Sequence, residues 1–133
     1  MRKIEHIGIA VKDLEKSNDL FSALLGELPY KTEEVKSESV TTSFFRSGPN
    51  KIELVAASNE QSPIAKFIDK RGEGIHHIAL QVDSVEAALE QAKENGLKLI
   101  DETPRIGAHR TKIAFIHPKS TNGVLFEFIE ATE

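Results

Sequence analysis

The sequence contains no cysteine among its 133 residues. Disulfides, thiolate nucleophiles and thiolate metal sites are therefore excluded. It also lacks any apolar run approaching the ~18 residues a membrane helix needs, so no membrane partner is expected. The opening MRKIEHIGIAV has too short an apolar stretch for a secretory signal and no small-residue cleavage site. An excess of positive charge is missing too. The formal net charge is −4, which argues against nucleic-acid binding but leaves room for an anionic small molecule at a local basic patch. A soluble cytoplasmic protein fits these absences. Hydrophobic residues make up 39% and charged residues 29%, enough for a packed core and unlike a disordered chain.

What is present is one unit written twice. Residues 6–15, HIGIAVKDLE, lie over 77–86, HIALQVDSVE, at an offset of 71, with His6 on His77, Ile7 on Ile78, Val11 on Val82 and Glu15 on Glu86. Both segments alternate with period two, which predicts a strand with one apolar face. Ile7, Ile9 and Val11 share that face in the first copy, and Ile78, Leu80 and Val82 in the second. The other face carries the histidine followed by small or polar residues. A helix follows each strand. Asp13 and Ser84 cap the two N-termini, and Gly26 and Gly96 end them. Leu14, Phe21 and Leu25 form the first apolar stripe; Val85, Ala88, Leu89 and Ala92 form the second. Three more strands are expected per half, near 29–36, 39–46 and 51–56, then near 97–102, 111–116 and 124–130. Ser62–Gly74 reads as a short linker helix with Pro63 in its first turn. Each half is thus β-α-β-β-β. The first module runs over about 1–60, the linker over about 62–73 and the second module over about 74–133. A half of this size has a small core and open sheet edges, so the two should pack together.

The last strands also match: KIELVA (51–56) with LFEFIE (125–130), placing Glu53 on Glu127 at an offset of 74. An insertion in the loop at 104–110 is expected to absorb the three extra residues. Each half then contributes one histidine and one glutamate: His6 with Glu53, and His77 with Glu127. Glu127 is the strongest clue, because its setting, Val-Leu-Phe-Glu-Phe-Ile, is apolar on both strand faces. An unpaired carboxylate there costs several kcal/mol. A divalent cation removes that penalty and accepts nitrogen and oxygen ligands. A pseudo-two-fold axis would bring the four side chains together, leaving positions open for water or substrate on a six-coordinate Co, Mn, Ni, Zn or Fe. Taken singly, a strand histidine is more often structural than a ligand, and Glu53 beside Lys51 and Val55 reads as a solvated edge carboxylate. Two matching pairs reverse that weighting. His76, which aligns with Glu5 on the opposite face, reads as a surface residue or one lying behind the ligands.

This doubled unit, with one His and one Glu per half, resembles the vicinal oxygen chelate superfamily. The stretches HIGIAVKDLEK (6–16), SPIAKFIDKRGEGIHHIALQVD (62–83) and DETPRIGAHRTKIAFIHPKSTNGVLFE (101–127) are most similar to its methylmalonyl-CoA epimerase branch. The resemblance implies an α+β fold of two tandem modules related by a pseudo-two-fold, forming a curved sheet around a metal-binding cavity. It implies one divalent metal per chain on His6, His77 and Glu127, with Glu53 in the place of a fourth ligand. It also implies a homodimer acting on methylmalonyl-CoA. With no transit peptide in view, a bacterial source is favoured. Two departures stand out. Thr42 occupies the place where some members carry a catalytic glutamate, and His109-Arg110 stands in a loop often rich in glycine.

Epimerisation removes the C2 proton on one face of the carbon and returns one to the other, which requires two acid/base groups or one mobile one. Glu53 and Glu127 are the expected pair. Arg105, Lys119 and Ser120, with Arg110 and Lys112, form a basic stretch suited to the phosphates of CoA. Solvated loop charges explain that stretch equally well. His117 before Pro118 is expected to close a turn. Phe44, Phe45, Phe115 and Phe126 are expected in the core, with one or two lining an acyl pocket. Two rival readings use the same chain: a glyoxalase I-type isomerase acting on a glutathione adduct, and a metal-free small-molecule binding protein of this fold.

Overall fold

The computed structural model describes residues 1–130; residues 131–133, the end of the expected second module, lie outside the described residues. The elements follow the expected order: β1 (Ile4–Ala10), α1 (Leu14–Leu25), β2 (Lys31–Val35), β3 (Val40–Ser47), β4 (Asn50–Ala57), α2 (Pro63–Arg71), β5 (Gly74–Val82), α3 (Val85–Glu94), β6 (Arg105–Ile106), β7 (Lys112–Ile116) and β8 (Phe126–Glu130). The fold class is α+β, a β-α-β-β-β set repeated across α2. By contacts the chain forms two compact units, His6–His76 and Met1–Glu5 with the residues from His77 onward.

In the unit His6–His76 the strands run in the order β2-β3-β4-β1. β1 is parallel to β4, and β2 and β4 are antiparallel to β3. Alternation sorts its side chains into two layers. Val11, Phe45, Leu54 and Ala56 are buried on one face, with Ile9, Leu14, Phe21, Leu25 and Ile52 packed around them. That face is covered by α1. Asp13 caps this helix by accepting from the Lys16 N–H at 3.1 Å. At its other end Gly26, with φ +79°, donates its N–H to Ser22 O at 2.9 Å.

The second unit repeats the plan in the order β5-β8-β7-β6, with β5 parallel to β8. The chain's first residues join it: Gln81 N–H donates to Lys3 O at 2.9 Å. Val82, Val85, Ala88, Leu89, Ala92, Ala114, Ile116 and Phe128 form its core beneath α3. Ser84 accepts from the Ala87 N–H at 3.1 Å at the N-terminus of α3. Gly96 ends it one residue beyond Asn95, at φ +80°. Its N–H donates to Lys93 O, while the Leu97 N–H reaches Ala92 O, both at 3.0 Å. That double bond is the Schellman arrangement, and glycine meets its left-handed requirement without a Cβ clash.

Two expectations need correction. The insertion is not at 104–110. Phe45 pairs with Ile52, and the equivalent Ile116 pairs with Phe126. Six residues separate the first pair and nine the second, so the three extra residues lie in the β7–β8 connection. The strand expected at 97–102 does not form; the strand of this segment is β6, Arg105–Ile106. Leu99 makes an isolated bridge to Ile116, and regular pairing resumes only at Arg105 opposite Ile113. Between them the N–H groups of Ile100 and Asp101 both donate to Phe115 O, at 3.0 and 3.2 Å. Two residues against one make a β-bulge.

Lys112 lies on the α3 side of β7, where its Nζ meets Glu86 Oε2 at 2.9 Å. The hydrogen bond from Lys112 holds the Glu86 carboxyl below its ordinary pKa, and the same bond pushes Lys112 above its own. Glu86 contributes stability above its unfolded pKa and loses it as pH falls through the lower folded value. Lys112 contributes below its unfolded pKa and loses it as pH rises through the higher folded value. Both groups are exposed, so the effect is small. Lys112→Met should lower Tm by at most about 2 °C at neutral pH and low salt. In thermal melts, that difference should vanish at high salt and at a pH acid enough to protonate Glu86.

Asn18 sits on the inward face of α1, between Leu14 and Phe21, and its Oδ1 is buried without a hydrogen-bond partner among the described residues. Asn18→Leu should therefore stabilise the protein by about 1 kcal/mol, read as a raised urea midpoint at unchanged slope.

Candidate active site

The opposite faces of the two half-sheets carry the chemistry. In the unit His6–His76, His6 projects from β1 and Glu53 from β4. Parallel pairing sets Gly8, which has no side chain, level with Glu53. His6 Nδ1 lies 3.1 Å from Glu53 Oε2. Both residues are buried, at 2% and 9% exposure. Phe44, directly across from Glu53 on β3, is fully buried beside it. The reading of Glu53 as a solvated edge carboxylate therefore fails.

The second unit builds the same arrangement from its own residues. His77 on β5 and Glu127 on β8 meet with Nε2 and Oε1 3.2 Å apart, at 7% and 4% exposure. Ala79 stands level with Glu127 where Gly8 stands level with Glu53. Phe115 lies directly across from Glu127 on β7. Its ring meets the His77 ring edge-on, with centroids 5.9 Å apart and planes at 88°. His76, one residue earlier, turns to the other face and packs edge-on against Phe67 of α2, centroids 4.9 Å apart. Its role is helix packing, which is more than a surface position.

Each pair is thus an imidazole nitrogen and a carboxylate oxygen in apolar surroundings. This donor chemistry fits a divalent cation of intermediate softness. The arrangement also provides two carboxylates, each held by one histidine and backed by one phenylalanine. Of the four phenylalanines expected in the core, Phe45 and Phe126 pack beneath the helices. Phe44 is fully buried, as expected, and it and the half-buried Phe115 lie across from the glutamates. The signal was in the sequence: Phe44 and Phe115 keep the offset of 71, and each lies across from a glutamate.

The other expected residues are placed as follows. Thr42 is buried on the Glu53 face, opposite Glu33, whose carboxylate pairs with Lys31 at 3.1 Å. Arg105 begins β6, with its guanidinium carbon 5.0 Å from the centroid of Phe115. Lys119 and Ser120 lie in a 3₁₀ turn, Pro118–Ser120, within the longer β7–β8 connection. His117 closes that turn by accepting from the Lys119 N–H at 3.1 Å. Ser120 Oγ accepts from the Lys98 N–H at 2.7 Å and so ties the turn to the segment before β6. His109 and Arg110 both hold positive φ, +58° and +57°. Each costs about 1–2 kcal/mol for a residue with a Cβ. Sequence reading missed Asp101, whose Oδ2 accepts from the Phe115 N–H at 2.8 Å and meets Arg105 Nε at 3.3 Å.

Two histidine–glutamate pairs at matching strand positions of a doubled unit narrow the family. The model of the Glyoxalase/Bleomycin resistance protein/Dioxygenase superfamily matches residues 5–115. The chain belongs to this superfamily. Within it, the chain is 39% identical over 129 residues to the mitochondrial methylmalonyl-CoA epimerase of Dictyostelium discoideum, covering 96% of this chain and 78% of that protein. The solved structure of a hypothetical protein from Bacillus halodurans is 44% identical, with a TM-score of 0.96 and coverage of 99% and 96%. The methylmalonyl-CoA epimerase structure from Mycobacterium tuberculosis is 34% identical, with a TM-score of 0.92 and coverage of 98% and 88%.

The two adjacent histidines give a direct test of the donor set. His77→Ala should lower bound divalent metal, measured by elemental analysis of protein purified without chelator, by at least about tenfold. His76→Ala should keep it within about twofold while lowering Tm through lost packing on Phe67.

Proposed function

We propose that this protein is a metal-dependent epimerase that interconverts (2R)- and (2S)-methylmalonyl-CoA. The observation that carries the reading is the pair of equivalent His–Glu sets, His6 with Glu53 and His77 with Glu127. The similarity to methylmalonyl-CoA epimerases over nearly the whole chain supports it. His6, Glu53, His77 and Glu127 would hold one divalent cation, of the Co, Mn, Ni or Zn type. When bound, that cation supplies positive charge to offset the negative charge developing on the thioester oxygen as the C2 proton leaves.

The chain's own residues account for the rest. Racemising C2 needs a base on one face and an acid on the other, and the two must be exchangeable because the reaction runs both ways. Glu53 and Glu127 meet that requirement by their equivalence in the repeat. Each lies against a histidine and across from a phenylalanine, so each is directed by its neighbours in largely buried surroundings. One takes the proton from C2, the other delivers a proton to the opposite face, and the reverse reaction exchanges the roles. Thr42 is not a base at neutral pH and has no part in this account. Arg105, Lys119 and Ser120 are assigned to the anionic groups of the CoA thioester. A cytoplasmic homodimer belongs to the same reading. Among the described residues, no helix is long and apolar enough to cross a membrane.

The reading is tested in deuterated water with metal-loaded protein. Wild type should place deuterium at C2 of methylmalonyl-CoA, and its failure to do so removes the epimerase assignment. Glu53→Gln should retain metal and lose at least about a hundredfold in exchange rate. Normal exchange in that variant removes Glu53 from the proton path.

A further inference from the structure

The bulge at Ile100–Asp101 has a consequence for the face it borders. A bulge re-aims the side chain at its apex. Asp101 turns back along β7, where the same Oδ2 accepts from the Phe115 N–H at 2.8 Å and meets Arg105 Nε at 3.3 Å. The Arg105 guanidinium is thereby laid over the Phe115 ring, 5.0 Å from its centroid. Phe115 in turn sets its edge against His77, which meets Glu127 at 3.2 Å. One carboxylate therefore fixes an arginine and an aromatic wall along the border of the His77–Glu127 site. All five residues belong to one unit.

The first module does not contain this device. Asp101 corresponds to Tyr30, whose N–H donates to Phe44 O at 2.9 Å. There Arg46 lies over Tyr30 itself, 4.2 Å from its centroid, with no carboxylate in the Tyr30 position. The bulge and its aspartate are thus particular to the second module and not inherited from the repeat. A guanidinium held by a carboxylate at the edge of an aromatic ring keeps its charge in one place before a ligand arrives, which reduces the ordering needed on binding.

We propose that Asp101 is a positioning residue that presents Arg105 to an oxyanion of the substrate beside the His77–Glu127 site. The proposal rests on the epimerase reading and adds to it the residue that sets the anion-binding arm. The oxyanion is either the free carboxylate of the malonyl head or a phosphate of CoA.

The test is steady-state kinetics of metal-loaded Asp101→Asn, alongside its thermal melt. Asparagine can still accept from the Phe115 N–H but removes the charge that holds Arg105. KM for methylmalonyl-CoA should rise about tenfold, with kcat within about threefold and Tm within about 3 °C. Adding Arg105→Ala to it should raise KM no further than Arg105→Ala alone, because the two act as one. Repeating the measurement with methylmalonyl-pantetheine, which lacks the phosphates, separates the two sources. A KM defect that persists assigns Arg105 to the carboxylate, and one that disappears assigns it to a phosphate. An unchanged KM on both thioesters with a lowered Tm overturns the proposal and leaves Asp101 as a stitch in the bulge. Should Asp101→Asn fail to fold, Arg105→Lys on the exposed guanidinium gives the same readout. It keeps the charge and loses the planar guanidinium and its Nε bond to Asp101, so KM should again rise about tenfold, and an unchanged KM overturns the proposal. A wild type inactive with both thioesters overturns the epimerase reading and this proposal with it.

Discussion

A carboxylate buried on a β-strand is the constraint from which the rest follows. Glu53 and Glu127 are each under a tenth exposed, on strands whose neighbours are largely apolar. Left alone, either would penalise folding by several kcal/mol. Each is met by a histidine from the strand beside it, at 3.1 and 3.2 Å. Bringing that histidine within reach requires β1 to lie beside β4, and β5 beside β8, in one register only. A slip of one residue would send the histidine into the helix-covered core and an isoleucine against the carboxylate. The parallel pairing demands a crossover, and α1 and α3 provide the covered return. The small residues Gly8 and Ala79 stand level with the two glutamates.

Much of this was legible because it is local or repeated. Period-two alternation assigned His77 to one face and His76 to the other with no knowledge of a partner strand. Asp13, Ser84, Gly26 and Gly96 mark helix ends through bonds that span three to five residues, so their chemistry is visible in the chain itself. The repeat supplied the non-local part, since two copies of an ambiguous signal at one spacing constrain each other. Glu53 shows how much that mattered. By its neighbours it reads as an exposed edge carboxylate, and only its match to Glu127 marks it as buried.

What escaped the sequence depends on register between distant strands. The bulge at Ile100–Asp101 exists only relative to Phe115, and nothing within LKLIDETP marks which N–H will lack a partner. The three-residue insertion was assigned to the wrong loop for the same reason. Offsets of 71 and 74 bracket it between the first and last strands, but only the pairings of Phe45 and Ile116 divide that interval. Lys112 was grouped with Arg105 as basic, yet β7 alternates. Ile113 and Phe115 face Glu127, and Lys112 faces α3 and Glu86. Charge proximity along the chain carried no information about side.

The contrast between the modules has a chemical reason under the epimerase reading. At C2 the two directions of attack must be equivalent, because the enzyme removes a proton from either face and returns it to the other. A duplicated His–Glu–Phe set meets that need, and duplication is the least demanding way for one chain to make it. The remainder of the substrate has no such symmetry. One arm is a short carboxylate and the other a long thioester bearing phosphates. A fully symmetric surrounding would bind the acyl group in two opposed orientations and align only one with the arm that must leave the pocket. On that reading the repeat is kept at the two glutamates assigned to proton transfer and the histidines that meet them, His6 with Glu53 and His77 with Glu127. It is broken beyond, where Tyr30 and Arg46 in one module face no counterpart to Asp101, Arg105 and the longer β7–β8 connection in the other.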